Sequence, residues 1–122
     1  MEQTPILTLT LNPALDMSTN VPDVIANQKL RCAAPQLDPG GGGLNVSRAV
    51  RIMGGDSLAL VALGGLTGER LAGLIRAEGV PFLSLVSPGE TRQSLTVTET
   101  STGRQYRFIP LRQPHMKAIC VS

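Results

Sequence analysis

Four consecutive glycines, Gly40 to Gly43, run straight into the segment LNVSRAVRIMGG. Glycine lets a backbone approach a ligand closely, and a helix that starts there offers unpaired amides with partial positive charge. A phosphate or a polyhydroxylated sugar could use such a junction; a plain flexible turn is the alternative. Asn45, two residues past the glycines, can donate and accept toward hydroxyls, or be satisfied locally as a first-turn helix residue. Asp16 follows Asn12-Pro13 and is either a carboxylate for hydroxyl groups or a turn-forming Asp. Arg92 and Arg107 flank Ser101-Thr102-Gly103. If the two flanking segments pair as a hairpin, two guanidinium forks can grip one phosphate; solvated surface arginines are the alternative. Arg104 sits at the turn itself and is expected to face solvent.

Two nucleotide motifs are excluded. The Walker pattern needs Gly-Lys-Ser/Thr and no Gly-Lys occurs. The dinucleotide fingerprint, counted from Gly41, needs a small residue where Val46 stands. His115 is the one histidine and has no evident partner in the sequence. No metal-ligating spacing is present, and Cys32 and Cys120 form neither a disulfide framework nor a zinc site.

The elements that must position these residues follow from periodicity. ILTLTL, Ile6 to Leu11, alternates as a strand and is stopped by Asn12-Pro13. That places Asp16 just past a strand's carboxyl end, where open α/β sheets hold ligands. Residues 18–39 read as irregular, with Lys29 to Ala34 as an edge strand ended by Pro35. After the glycines, Leu44, Ala49, Val50, Ile52 and Met53 suit one side of a short helix closed by Gly54-Gly55. Ser57 to Leu63 is a buried strand. Thr67 caps a second helix, Gly68 to Glu78, with Leu71, Leu74 and Ile75 as its apolar stripe. Phe82 to Val86 is a third core strand. From Arg92 the period becomes two, and Arg92 to Glu99 and Gln105 to Ile109 form a hairpin. The fold class is α/β: a mostly parallel, helix-flanked sheet, with the hairpin in a separate small sheet.

Composition narrows the function classes. A chain of 122 residues is one domain at most, and 42% hydrophobic against 16% charged residues supports a folded core. Aromatics are Phe82, Tyr106 and Phe108, too few for stacking single-stranded nucleic acid. The net charge of +2 comes from the end of the chain: Arg104, Arg107, Arg112 and Lys117 face no acid after residue 103. A basic nucleic-acid face is therefore not expected. No stretch is long and apolar enough to span a bilayer, and MEQTPILTLTLN lacks the basic start of a secretory leader. The reading is cytoplasmic, without nucleic acid or membrane.

Taken in order, TLTLNPALD, KLR, DPGGGGLNVSRAVRIMGG, TGERLAGLIRAEGV, ETRQSLTV and GRQYRF resemble the ribokinase-like carbohydrate kinases, in their phosphofructokinase-B branch. Within it the 6-phosphofructokinases are most similar; tagatose-6-phosphate kinases and 1-phosphofructokinases share most of these features. The resemblance runs from Ile6 to Phe108. It implies transfer of the γ-phosphoryl of MgATP to a hydroxyl of a sugar phosphate, fructose 6-phosphate giving fructose 1,6-bisphosphate. It implies a ribokinase-like α/β portion over residues 1–109, with a small β-sheet lid built from segments about 14–39 and 90–109, and a homodimer through that lid. It implies that Asp16 binds sugar hydroxyls, that Gly41, Gly42 and Asn45 line the sugar site, that Arg92 and Arg107 hold the phosphate, and that Lys29 and Arg31 contact substrate from the lid. The family's Gly-Ala-Gly-Asp motif, which supplies the general base and anion hole, is absent from these 122 residues. The general base and most of the ATP pocket are thus expected outside this chain, which alone is expected to be inactive. Residues 110–122 depart from the family pattern and are expected to be disordered.

Overall fold

A computed structural model describes residues 5–111. In chain order the elements are β1 (Ile6–Thr10), β2 (Ala14–Val21), β3 (Gln36–Gly40), α1 (Gly42–Ile52), β4 (Ser57–Leu63), α2 (Gly65–Ala77), β5 (Phe82–Val86), β6 (Arg92–Glu99) and β7 (Gln105–Phe108). They form two sheets. The core sheet is parallel, in the order β1-β4-β5. The second sheet has the order β3-β2-β6-β7, with β2 and β6 parallel at its centre and antiparallel partners outside.

The core forms because three apolar stripes meet on one face of the parallel sheet. α1 turns Leu44, Ser47 and Val50 inward, at helical spacing. α2 contributes Leu71, Ala72 and Ile75. Ala59 and Val61 of β4 rise between them, and Val80, Leu63 and Phe82 close the cluster. Each fully buried Leu or Ile contributes about 1.5–3 kcal/mol relative to exposure. Ser47 is polar but satisfied: its hydroxyl lies 2.7 Å from that of Thr8, so α1 is tied to β1 across the core.

Several sequence expectations change. Ile52 and Met53, read as part of the apolar side of α1, are each 76% exposed; the helix points them away from the core at its last turn. Ala49 is exposed as well. α2 begins at Gly65, with Gly64 rather than Thr67 at its N-cap. Residues 18–39 are not irregular throughout. β2 continues to Val21, and the strand expected at Lys29 to Ala34 stands instead at Gln36–Gly40. The earlier segment follows β2 loosely, through Ala33 N–H to Asn20 O at 2.9 Å and the Thr19 hydroxyl to Ala33 O at 2.6 Å. It is preceded by a turn at Asn27, whose φ is 61°. Pro35 cannot donate to a ladder, so pairing starts after it. His115, Cys120 and the expectation of disorder beyond Leu111 lie outside the described residues.

Candidate functional site

Asp16 does not sit beyond a core strand's end. It lies within β2, and strand alternation then decides what it faces. β2 and β6 run in register, with Ala14 beside Arg92, Asp16 beside Ser94 and Ser18 beside Thr96. Arg107 of β7 stands opposite Thr96, and Asp38 of β3 opposite Asp16. All these side chains therefore emerge on one face of the second sheet. All of them but Ala14 line a single cavity of about 330 Å³, together with Met17 and Ile109. The three residues expected to hold a phosphorylated, hydroxylated ligand, Asp16, Arg92 and Arg107, are brought together there.

The cavity's charges are held but not neutralised. Among the described residues neither Arg92 nor Arg107 forms an ion pair. Arg92 donates from Nη2 to Asn12 O at 3.3 Å, while its buried Nε has no partner. A buried guanidinium N–H without an acceptor is costly, and an anion in the cavity would satisfy it. Arg107 is exposed, with Nη2 at 3.5 Å from Gln105 Oε1. Asp16 accepts from the Ser94 hydroxyl at Oδ1, 2.5 Å away, which orients its carboxylate. The larger space, about 750 Å³ along α2 and β5, is lined by Leu66, Leu85 and Val86 with no pair of converging cations.

The glycine run leaves β3 at one end of this sheet, and Gly41, Gly42 and Asn45 are not among the residues that line the cavity. Gly40 pairs with Ala14, and a Cβ there would strike the Asp16 carboxylate. Gly41 has φ 139°, a conformation open to glycine, and turns the chain from β3 into α1. Gly41 and Gly43 both press on the Thr10 side chain, whose Oγ1 is buried without a partner. α1 has no side-chain cap and no acid in its first turn, so its free amides keep their partial positive charge. Gly42 and Asn45 are exposed at this helix start. Lys29 and Arg31 are exposed in the loop between β2 and β3, and neither lines the cavity. Arg104 is exposed at the hairpin turn.

A family model described as pfkB family carbohydrate kinase matches residues 9–118. The chain belongs to the pfkB family of carbohydrate kinases. It is 51% identical over 104 residues to the ATP-dependent 6-phosphofructokinase isozyme 2 of Mycobacterium tuberculosis, covering 85% of this chain and 31% of that one. It is 46% identical over 104 residues to the enzyme of the same name from Escherichia coli K12, covering 85% and 34%. Phosphofructokinase-2 from Escherichia coli in complex with fructose-6-phosphate superposes with a TM-score of 0.83 at 40% identity, over 96% of this chain and 40% of that one. The tetrameric inhibited form of that enzyme superposes with a TM-score of 0.80 at 40% identity, over 96% and 40%. The chain thus spans about one third of the length of the curated relatives it matches, in their amino-terminal part. Its fold is ribokinase-like.

In this pfkB-family chain the two sheets are joined at Glu90 and Thr91, which precede Arg92 and grip the first turn of α2. Thr91 Oγ1 accepts from Gly64 N–H at 2.9 Å, and Thr91 N–H donates to Gly64 O at 3.0 Å. Glu90 Oε1 accepts from Thr67 N–H at 2.6 Å, and this bond, with the Thr67 hydroxyl, holds its carboxyl below the ordinary 4.5. Gln93 Nε2 donates to Thr67 Oγ1 at 3.2 Å. The backbone of Arg92 is therefore clamped on both sides.

Sequence reasoning missed four participants: Asp38, Ser94, Glu90 and Arg48. Asp38 and Ser94 were reachable once β2 was read as a strand, since Asp16, Asp38 and Ser94 then share a face by alternation. Leu15, Met17, Thr19 and Val21 carry that period, but Pro13, Asp16 and Asn20 argue for turns. Glu90 and Arg48 act across the chain, and no local pattern marks them.

Proposed function

We propose that this chain is the sugar-phosphate-binding part of an ATP-dependent 6-phosphofructokinase. One observation carries the reading: two arginines that form no ion pair among the described residues and an oriented carboxylate converge on a single cavity face. Arg92 and Arg107 hold the 6-phosphate of fructose 6-phosphate as paired guanidinium forks. Asp16 accepts from sugar hydroxyls. Gly41 and Gly42 let the sugar approach the start of α1, and Asn45 donates to it; Lys29 and Arg31, which do not line the cavity, contact substrate only from a loop closed over it. The relatives at 51% and 46% identity favour 6-phosphofructokinase over tagatose-6-phosphate or 1-phosphofructokinase specificity.

In the reaction a sugar oxygen forms a bond to the γ-phosphorus of ATP as the bond to the β-phosphate oxygen breaks, and the hydroxyl proton passes to a general base. MgATP supplies the phosphoryl group and neutralises its charge. Among the described residues no three His, Cys, Asp or Glu side chains cluster as metal ligands, so none is assigned to the metal. The general base and most of the ATP site are assigned to the part of the family fold this chain does not span. What this chain does is bind the sugar phosphate, orient it and fix its phosphate away from the reacting hydroxyl.

The four-stranded sheet is the lid, and its second face is the self-association surface. There Met17, Leu95, Val97 and Tyr106 are half-buried and Phe108 is 59% exposed. A homodimer through this face would cover them. The setting is the cytoplasm; among the described residues no helix is long and apolar enough to cross a membrane.

The test is calorimetric titration of fructose 6-phosphate into the chain and its Arg92→Ala, Arg107→Ala and Arg104→Ala variants. Loss of a charged hydrogen-bonding partner costs on the order of 1.5–3 kcal/mol, roughly tenfold to a hundredfold in affinity. Arg92→Ala and Arg107→Ala lose that much, while Arg104→Ala stays near wild type. Equal losses in all three would indicate general charge attraction and remove the clamp.

A further inference from the structure

One side chain outside the cavity joins three elements around the glycine run. Arg48 lies one helical turn after Asn45 on α1. Its Nε pairs with Glu78 Oε2 at 2.6 Å, just past the end of α2, both side chains being 31% exposed. Nη2 donates to Pro39 O at 3.0 Å, the carbonyl that precedes Gly40. Nη1 donates to Asn45 Oδ1 at 3.1 Å. A guanidinium has five N–H donors and no acceptor. The Asn45 atom facing it must therefore be the amide oxygen, and the amide NH₂ is turned to the other side. With two of its edges fixed by Glu78 and by the Pro39 carbonyl, the fork cannot swing away from Asn45 without breaking ties to α2 and β3.

We infer that Arg48 is a positioning residue that fixes the orientation of the Asn45 amide, so that Asn45 meets the ligand as a donor toward a neutral oxygen of the sugar. The inference rests on the proposed sugar-phosphate site. It concerns selectivity: Arg48 supports recognition of the polyol and leaves phosphate recognition to Arg92 and Arg107. Lysine cannot replace it, because a point charge cannot span Glu78, Pro39 O and Asn45 at once. Asn45→Asp keeps an acceptor for Arg48 but removes the donor.

Two measurements on the full chain test this. The first needs no ligand: the ¹H–¹⁵N signals of the Asn45 side-chain NH₂, assigned through Asn45→Asp, move and exchange faster in Arg48→Ala and Arg48→Lys. Glu78→Gln, the milder variant should Arg48→Ala fail to fold, moves them in the same direction by less. The second compares fructose 6-phosphate with inorganic phosphate as titrants. Arg48→Ala weakens the sugar phosphate about three- to tenfold, the scale of one neutral hydrogen bond, and leaves inorganic phosphate within about twofold. Because Arg48 acts through Asn45, the Arg48→Ala/Asn45→Ala pair loses no more than Asn45→Ala alone. Parallel loss of both titrants, or multiplied losses in the double variant, would overturn the inference. Should wild type bind fructose 6-phosphate no better than phosphate, the sugar site itself is wrong. Asn45 signals that stay fixed in Arg48→Ala overturn the role of Arg48 whichever way the titrations fall.

Discussion

The two sheets differ in what their second faces carry. In the core sheet, Thr8, Thr10, Ala59 and Val61 share the face covered by the helices. The opposite face holds Leu7 and Leu9 beside Leu58 and Leu60, with Leu83 and Leu85 on β5. Leu7 is 64% exposed and Leu9 and Leu83 are each 56% exposed. In the four-stranded sheet one face is apolar and the other carries Asp16, Asp38, Arg92, Ser94 and Arg107. Parallel sheets are stable with both faces covered. Among the described residues nothing covers the leucine face, which leaves it a surface for further burial, whereas a polar face whose arginines form no ion pair among the described residues fits a charged small ligand.

The largest expected effect separates binding from chemistry. The chain should show no ATP-dependent phosphorylation of fructose 6-phosphate, tagatose 6-phosphate or fructose 1-phosphate, because the proposed reading puts the general base in the part of the family fold that this chain does not span. Coupled ADP release no faster than an enzyme-free control is the expected reading. Turnover by a preparation cleared of host kinase would place a base within this chain.

A stability contrast between the faces comes next. Leu71 is 0% exposed in the cluster under the helices. Leu71→Ala removes buried methyls and leaves a cavity, at about 2–5 kcal/mol. Leu9→Ser, on the open face of the core sheet, should change the urea midpoint little. A Leu9→Ser loss as large as that of Leu71→Ala would mean the leucine face is already covered in solution.

Much of this was legible in the sequence where period and punctuation agree. β1, β4, β5 and the β6–β7 hairpin follow from alternation or short apolar runs bounded by Pro and Gly, and α1 follows from the glycine stop at Gly54-Gly55. In the candidate site the residue types Asp16, Arg92 and Arg107 stand out in the sequence as a carboxylate and two arginines flanking a turn. Their common face was not legible, because it depends on β2 pairing with β6 across more than seventy residues of chain. The start of α2 was misplaced for a related reason. Thr67 has the chemistry of a cap, but its amide is taken by Glu90, which arrives from the far side of β5. Ile52 and Met53 show the converse error, since apolar residues were assigned inward on a helix whose last turn leaves the core.

The smallest expected effect compares the two carboxylates at the ends of β6. Glu90 ties the start of β6 to α2. Glu99 ties the hairpin turn to the chain leaving β2: Oε2 accepts from Val24 N–H at 2.7 Å and Oε1 from the Thr102 hydroxyl at 2.5 Å. The Thr102 hydroxyl first, then the Val24 amide, hold the Glu99 carboxyl below its ordinary 4.5, as Thr67 does for Glu90. Both groups favour the charged form on folding. Their stabilisation is fully present above about pH 4.5 and is lost as pH falls through the lowered folded values, since protonation removes the charge those donors stabilise. Thermal midpoints should therefore fall on acidification from about pH 6 to about pH 3, with a shallower slope in Glu90→Gln and Glu99→Gln. The ties act in different places, so the two variants should differ in amide exchange as well. Glu99→Gln loosens Val24 and the hairpin turn while the α2 start stays protected, and Glu90→Gln does the reverse at Thr67. Slopes identical to wild type in both variants would assign the acid sensitivity to other carboxylates. Loosening of both places by either variant would mean that the hairpin turn and the start of α2 open as one unit.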